Sequence, residues 1–348
     1  MELSTLNRLA VLASLCACCA LAGCAPDEDD ELASTDQALS SFNVYLGSFH
    51  GHSNYSDGDN PPRDVFTWAR DRGSFDFYIL SDHAELLSNS EWNTSASLAD
   101  EFNRDGTFVA IRAFEYSNPL NGHANVFNTS GRKAWFLSSN SSFYNWVDAN
   151  NGIGQFNHAG DHGSFSNYQF VANVSDNFKL METANGSDTN ASGKFIGHYD
   201  SALAKGWKLA PTANLDNHSL SDSGVRTGIL ANSLTRAGVY EAMQVRRVFS
   251  SDDLYIELRF SLGDHWMGEE VRSAPGAHTF SVAITSDETI AKIELIVKGA
   301  SVASVQPGTD TASWSPSIQV RGDTYAYVKV TEADGDVSLS APIWIDVP

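Results

Sequence analysis

Between Asn43 and Leu262 the chain alternates short runs of β-branched and aromatic residues with helix-patterned stretches, and that alternation confines it to a β/α architecture. The strand-like "NVYLGS" leads into "FHGHSNYSDG", and "PPRDVFTWARDRG" reads as a helix with proline in its first turn and glycine at its end. "FDFYILSDHA" is the next strand. A helix around Glu91 to Asn103, then "TFVAIRAFEYS", "GHANVFN", a helix around Phe143 to Ala149, "GIGQFNHAG" and "FKLMETANG" continue the series. A helix around Ala191 to Gly206 and "WKLAPTANLDNHS" follow, and "RAGVYEAMQVRRVF" reads as an amphipathic helix near the close. From about Gly263 the character changes to strand-length runs separated by Gly, Pro and Asp turns, which predicts a small antiparallel β-sandwich over 263–348.

In β/α folds ligands gather at the C-terminal ends of the strands. Here the strand ends are polar. Asp82 and His83 follow "FYILS", Glu115 ends "VAIRAF", His158 follows "IGQFN", Glu182 follows "FKLM", and Asp216 and His218 follow "KLAPTANL". In the first motif, His50 and His52 leave an extended strand on one side with their backbones about 7 Å apart, a spacing at which two imidazoles can share one ion. Of the ten histidines, His50, His52, His83, His123, His158 and His218 sit at strand ends or in the adjoining loops. With Asp57, Glu115 and Asp216 they offer nitrogen and oxygen donors for two or three divalent ions, with positions left for water and substrate. The sandwich carries no such cluster and reads as accessory.

The 24-residue start, "MELSTLNRLAVLASLCACCALAGC", has a positive charge at Arg8, an apolar stretch and small residues before Cys24, the pattern of a secretory signal. Leu21-Ala22-Gly23-Cys24 is similar to a bacterial lipobox, so residues 1–24 are expected to be a lipoprotein signal and Cys24 a lipid anchor in the bacterial cell envelope. Residues 25–41 carry six acids and no base, an acidic tether on which no fold is expected. All four cysteines lie at or before Cys24. The mature chain would then hold no thiolate ligand, which suits Zn, Mn or Fe in an open site and disfavours a closed structural zinc. The net charge of −21 argues against a nucleic-acid partner, because phosphate backbones are held by Lys and Arg. A small anionic ester is compatible only if metal ions reverse the local field.

No G-x-S-x-G elbow is present, so the simplest nucleophile is a hydroxide held between two ions. His162, Arg112 and Lys194 flank the cluster in sequence and could neutralise charge developing on the substrate. Arg112, beside Glu115, suits an ion-paired position equally well. Glu182 reads as a residue that orients a ligand.

The ordered motifs resemble the polymerase and histidinol phosphatase (PHP) metallohydrolases. His50, His52 and Asp57 match the opening H-x-H-(x)4-D, Asp82-His83 the D-H pair and Glu115 the strand-end glutamate. His123 in "GHANVF", His158 in "FNHAG" and "DNH" over Asp216 to His218 match the later motifs. The likeness covers about Asn43 to Leu262, and the closing "APIWIDV" of the appended sandwich looks like the carbaryl-hydrolase-like (CehA/McbA) branch. Leu215 stands where many relatives have serine, which touches the shape of that loop only. The resemblance implies a distorted seven-stranded β/α barrel over 42–262. It also implies one ion on His50, His52, Glu115 and Asp216, a second on Glu115, His123 and His158 with Glu115 bridging, and a third on Asp57, His83 and His218. Three functions follow as expectations: a phosphoesterase acting on mono- or diesters, a carbamate or carboxyl-ester hydrolase on the same centre, or a non-catalytic lipoprotein that binds metal or glycan.

Overall fold

The computed structural model describes residues 42–133, 138–186 and 194–348. The leader, Cys24 and the acidic tether lie outside the described residues.

The first half of the fold contains strands β1 (Asn43–Ser48), β2 (Phe77–Leu80), β3 (Val109–Arg112), β4 (Phe114–Asn118), β5 (Gly122–Phe127), β6 (Ile153–Phe156), β7 (Phe178–Asn185), β8 (Ala210–Asn214), β9 (Arg226–Ala231) and β10 (Val248–Ser251). Between them run helices α1 (Pro62–Asp71), α2 (Asn89–Phe102), α3 (Asn140–Ala149), α4 (Ile196–Ala204) and α5 (Arg236–Val245). Their starts are explained locally. Pro62 opens α1, where a missing N–H costs nothing. Ser88 and Glu91 form a reciprocal capping box on α2. The helix expected through Phe249 ends instead at Val245, because Arg246 turns into the left-handed region (φ 62°) and the apolar "VFSS" that follows becomes the buried strand β10.

The expected closed barrel does not form among the described residues; the strands divide between two sheets. In one, β3, β2 and β1 are parallel and β9 and β10 antiparallel; in the other, the order is β4-β5-β6-β7-β8. The cause is β9. It pairs with β1 from Asn43↔Ala231 to Gly47↔Thr227 and so occupies the edge that β8 would need to close the ring. Beyond the ladders the sheets are bridged at Gly51↔Asn217 and His83↔Glu115, and within them β8 packs on β9, Thr227 Oγ1 donating to the Ala213 carbonyl at 2.9 Å. Both bridges involve the polar strand ends, so the incomplete closure brings those ends together. Below them Phe49 packs on Phe77 and Phe127, with ring centroids 5.2 and 5.8 Å apart, in an apolar core shared by both sheets.

The remainder is β-rich: β11 (Glu257–Leu262), β12 (His265–Trp266), β13 (Glu270–Arg272), β14 (Gly276–Thr279), β15 (Ser281–Val297), β16 (Ala300–Val305), β17 (Thr309–Trp314), β18 (Ser317–Val320), β19 (Thr324–Glu332), β20 (Val337–Ser340) and β21 (Ile343–Asp346). Two expected strands, "HTFSVAIT" and "AKIELIVKG", contribute to the single long β15. β20 pairs antiparallel with β10, so hydrogen bonding runs from this region into the first sheet.

At that seam Glu332 is buried beside Asp253, and Ser286 Oγ reaches both Asp253 Oδ2 (3.1 Å) and Glu332 Oε1. Burial, with Asp253 adding, pushes the Glu332 carboxyl up to about 7. The folded state therefore holds this proton to higher pH than the unfolded chain does, and stability should fall as pH rises from about 4.5 through 7. Melting temperatures at pH 5 and pH 8 should show that fall, and Glu332→Gln should make it shallower.

Candidate metal centre

The first group is built where β1 ends. His50 and His52 flank Gly51, at which a Cβ would lie 2.1 Å from the Tyr78 hydroxyl, so only glycine lets this turn pass. The two Nε2 atoms are 3.1 Å apart and stand 3.2 and 3.0 Å from Asp216 Oδ1. Asp216 itself has left-handed backbone (φ 48°), as does His158 (φ 22°). Such strain in non-glycine residues collects at functional sites.

Glu115 lies at the centre of the second group. Its Oε1 is 3.3 Å from His123 Nδ1, 3.3 Å from His158 Nε2 and 3.4 Å from His50 Nε2. Its Oε2 is 2.9 Å from His83 Nδ1 and 3.7 Å from His52 Nε2. The third group is nearer solvent: Asp57 lies 3.2 Å from His83 Nε2, 3.3 Å from His218 Nε2 and 3.6 Å from His52 Nδ1. Side-chain exposure rises from 0% at His50 to 46% at Asp57, so the third group forms the mouth.

All nine residues expected as ligands thus fall into three groups whose donor atoms lie within 4.8 Å of one another: His50, His52 and Asp216; Glu115, His123 and His158; and His52, Asp57, His83 and His218. His52 stands in two of them.

The donor chemistry fits divalent ions. His50 Nδ1 is taken by Glu182 Oε1 at 2.9 Å and His218 Nδ1 by the Asp216 carbonyl at 2.8 Å. In both rings the outer nitrogen donates to that oxygen and the inner Nε2 faces the cluster, where an ion would take the place of its proton, the arrangement metal-binding histidines adopt. Among the described residues, His158 Nδ1 is buried with no hydrogen-bond partner. The electrostatics agree. Burial pushes Glu115 and Asp216 up, yet the surrounding imidazoles outweigh it and hold both well below the usual carboxylate range. Burial pushes His83 down, and Glu115 and Asp57 overturn that, taking it up to about 11. Such mutual shifts mark a concentration of carboxylate charge that protons or cations must neutralise.

The remaining expected site residues are placed differently. His162 stacks on His123 (centroids 4.6 Å, planes 8° apart), and burial with His123 and His158 nearby lowers its pKa. Lys194 Nζ pairs with Asp161 Oδ2 at 3.0 Å, beside His162 in sequence. Arg112 is not at the centre. Its guanidinium lies 3.5 Å over the Trp92 ring and donates to the carbonyls of Trp92 and Thr129, so it ties α2 to the sheet. Asp82 acts as a clamp on the turn after His52, accepting from Ser53 N, Ser53 Oγ and Ser56 Oγ at 2.7, 2.8 and 2.7 Å.

Sequence reasoning missed the amides and hydroxyls behind the ligands. Asn157 Nδ2 donates to Glu115 Oε1 at 2.8 Å, Asn185 Nδ2 lies 3.3 Å from Asp216 Oδ2, and Ser117 Oγ contacts His83 Nδ1. Asn157 and Ser117 stand beside candidate ligands and Asn185 ends β7, positions that asparagine and serine in ordinary turns share.

No family model matches the chain. In sequence it is similar to an uncharacterised protein of Chlamydia pneumoniae, 21% identical over an alignment 361 residues long, gaps included, that covers 88% of this chain. The chain spans 58% of the length of that curated relative. Among solved structures it is similar to a two-domain protein from Bacteroides vulgatus containing a predicted PHP-like metal-dependent phosphoesterase. That likeness has a TM-score of 0.49 and 15% identity, and covers 87% of this chain and 96% of the other. It is also similar to fibronectin(III)-like modules of Clostridium thermocellum CbhA, with a TM-score of 0.19 and 20% identity over 26% of this chain and 94% of the other. Likenesses at these values assign no activity to this chain.

Proposed function

We propose that the chain is a metal-dependent hydrolase of phosphate esters. The observation that carries this reading is the position of Glu115, whose two oxygens face histidines of all three groups, so that one carboxylate can join neighbouring ions. Divalent ions bound there would supply Lewis acidity and bring the pKa of a coordinated water toward ~7.

The protein's part is positional. His50, His52 and Asp216 hold the deepest position; Glu115, His123 and His158 hold the next; Asp57, His83 and His218, at the exposed mouth, hold the position a substrate meets first. Asp57, Glu115 and Asp216 keep the approach negative, so an anionic ester is accommodated only against ions. A phosphate ester uses such a centre better than a neutral ester, since its charge is what the third group would balance. His162, whose ring stacks on His123 and whose pKa is lowered by burial, would take or return a proton at its ring nitrogen as the leaving group departs.

The test is a panel of phosphomonoesters, phosphodiesters, carboxyl esters and carbamates, run on wild type and His83→Ala with metal analysis of the same samples. Phosphate esters should turn over, and His83→Ala should lower kcat/KM for them more than for any neutral ester. Turnover of neutral esters alone would overturn the phosphoesterase reading, and an equal loss on both classes would remove the role given to the mouth group.

A further inference from the structure

We infer that Glu182, a ligand in none of the three groups, is a positioning residue that sets the geometry of two of them at once. The inference rests on the metal reading above and extends it to a residue behind the ligands.

Glu182 is fully buried on β7, where the pairing with β8 shifts register between Glu182 and Ala184. Irregularities of this kind re-aim side chains beside active sites. Its Oε1 accepts from His50 Nδ1 at 2.9 Å and Asn214 Nδ2 at 3.0 Å. Its Oε2 accepts from the backbone N–H of His158 at 2.6 Å and Asn185 Nδ2 at 3.0 Å. One oxygen therefore fixes the ring of a first-group ligand, and the other fixes the backbone of a second-group ligand.

The two arms do different work. A carboxylate oxygen can only accept, so the first arm obliges His50 to carry its proton on Nδ1 and to present Nε2 inward, 3.2 Å from Asp216 Oδ1. The second arm holds the main chain of His158 in its left-handed turn (φ 22°), from which the ring reaches Glu115. Asn185 Nδ2 adds a link from Glu182 Oε2 to Asp216 Oδ2, 3.3 Å away. The mouth residues Asp57, His83 and His218 make no described contact with Glu182.

A carboxylate can serve both donors, an amide oxygen only one, and alanine neither. Titration of metal-free wild type, Glu182→Gln and Glu182→Ala with Co²⁺, followed by the visible absorption of the bound ion and by atomic analysis after dialysis, separates these cases. Glu182→Ala should weaken two ions by about 10–100-fold each and leave the mouth position titrating as in wild type. Glu182→Gln should weaken one. In zinc-loaded wild type, the His50 Nδ1–H should appear as an exchange-protected proton resonance. Glu182→Ala weakening one ion or none, or all ions uniformly, overturns the inference. If Glu182→Ala does not fold, wild-type affinities in Glu182→Gln, or His50 protonated on Nε2, overturn it instead. Wild type binding less than one Co²⁺ per chain would remove the metal reading itself, a result distinct from any of these.

Discussion

Glu115→Gln should lower turnover of a phosphate ester on the order of 10³-fold or more, beyond the 10–100-fold typical of residues that only support a ligand. The expectation comes from the double use of this side chain. Oε1 faces His50, His123 and His158, and Oε2 faces His83 and His52, with 1% of the side chain exposed. An amide keeps the size of the group but loses its charge, and turns N–H donors toward atoms that also seek an acceptor or an ion. Both deep groups are therefore disturbed by one substitution. Steady-state kinetics at saturating metal, with metal content measured on the same sample, would check this. A loss below tenfold at unchanged metal content would mean that Glu115 does not join the ions.

Chelation should abolish activity and also lower the melting temperature, by roughly 6 °C for each ion lost. An ion present at about a thousand times its Kd contributes about 4 kcal/mol to the folded state, and in a chain of this size each kcal/mol corresponds to roughly 1.5 °C. Without ions, the carboxylates of Asp57, Glu115 and Asp216 are balanced by protonated imidazoles. Carboxylate neighbours raise His50, His83, His158 and His218 against the opposing pull of burial. A raised histidine contributes stability that is complete below its unfolded pKa near 6.5 and is lost as pH climbs to the folded value, about 11 for His83. The metal-free protein should therefore melt at progressively lower temperature from pH 6.5 upward. Calorimetry with and without chelator at pH 6 and pH 9 would show it, and a melting temperature indifferent to chelation would count against bound ions at the site.

Arg112 and Glu182 show how far the sequence could be read. Arg112 stands just before Glu115 while Glu182 is distant in sequence from every candidate ligand, and both are charged residues on β strands. Alternation along a strand sets which neighbours share a face, but not what packs against that face. Only the packing of α2 on the sheet shows that Arg112 lies over Trp92, away from the centre. Only the meeting of β1, β6 and β7 shows that Glu182 touches both His50 and His158. The expected barrel failed for a related reason: β9 pairing on β1 is a choice between distant strands, and local periodicity does not encode it.

What the sequence by itself determined was the donor inventory and its common location. Metal chemistry restricts which residue types can serve, and a β/α chain delivers the ends of its parallel strands to one side, so His50, His52, His83, Glu115, His158, Asp216 and His218 announce themselves by type and place. What the tertiary structure alone decided was grouping: His52 in two groups, Glu115 between all three, the sheets joined at Gly51↔Asn217 and His83↔Glu115. The two bridges join residues more than thirty positions apart and depend on which strand edges remain free, a property of the folded sheets and not of any segment within them.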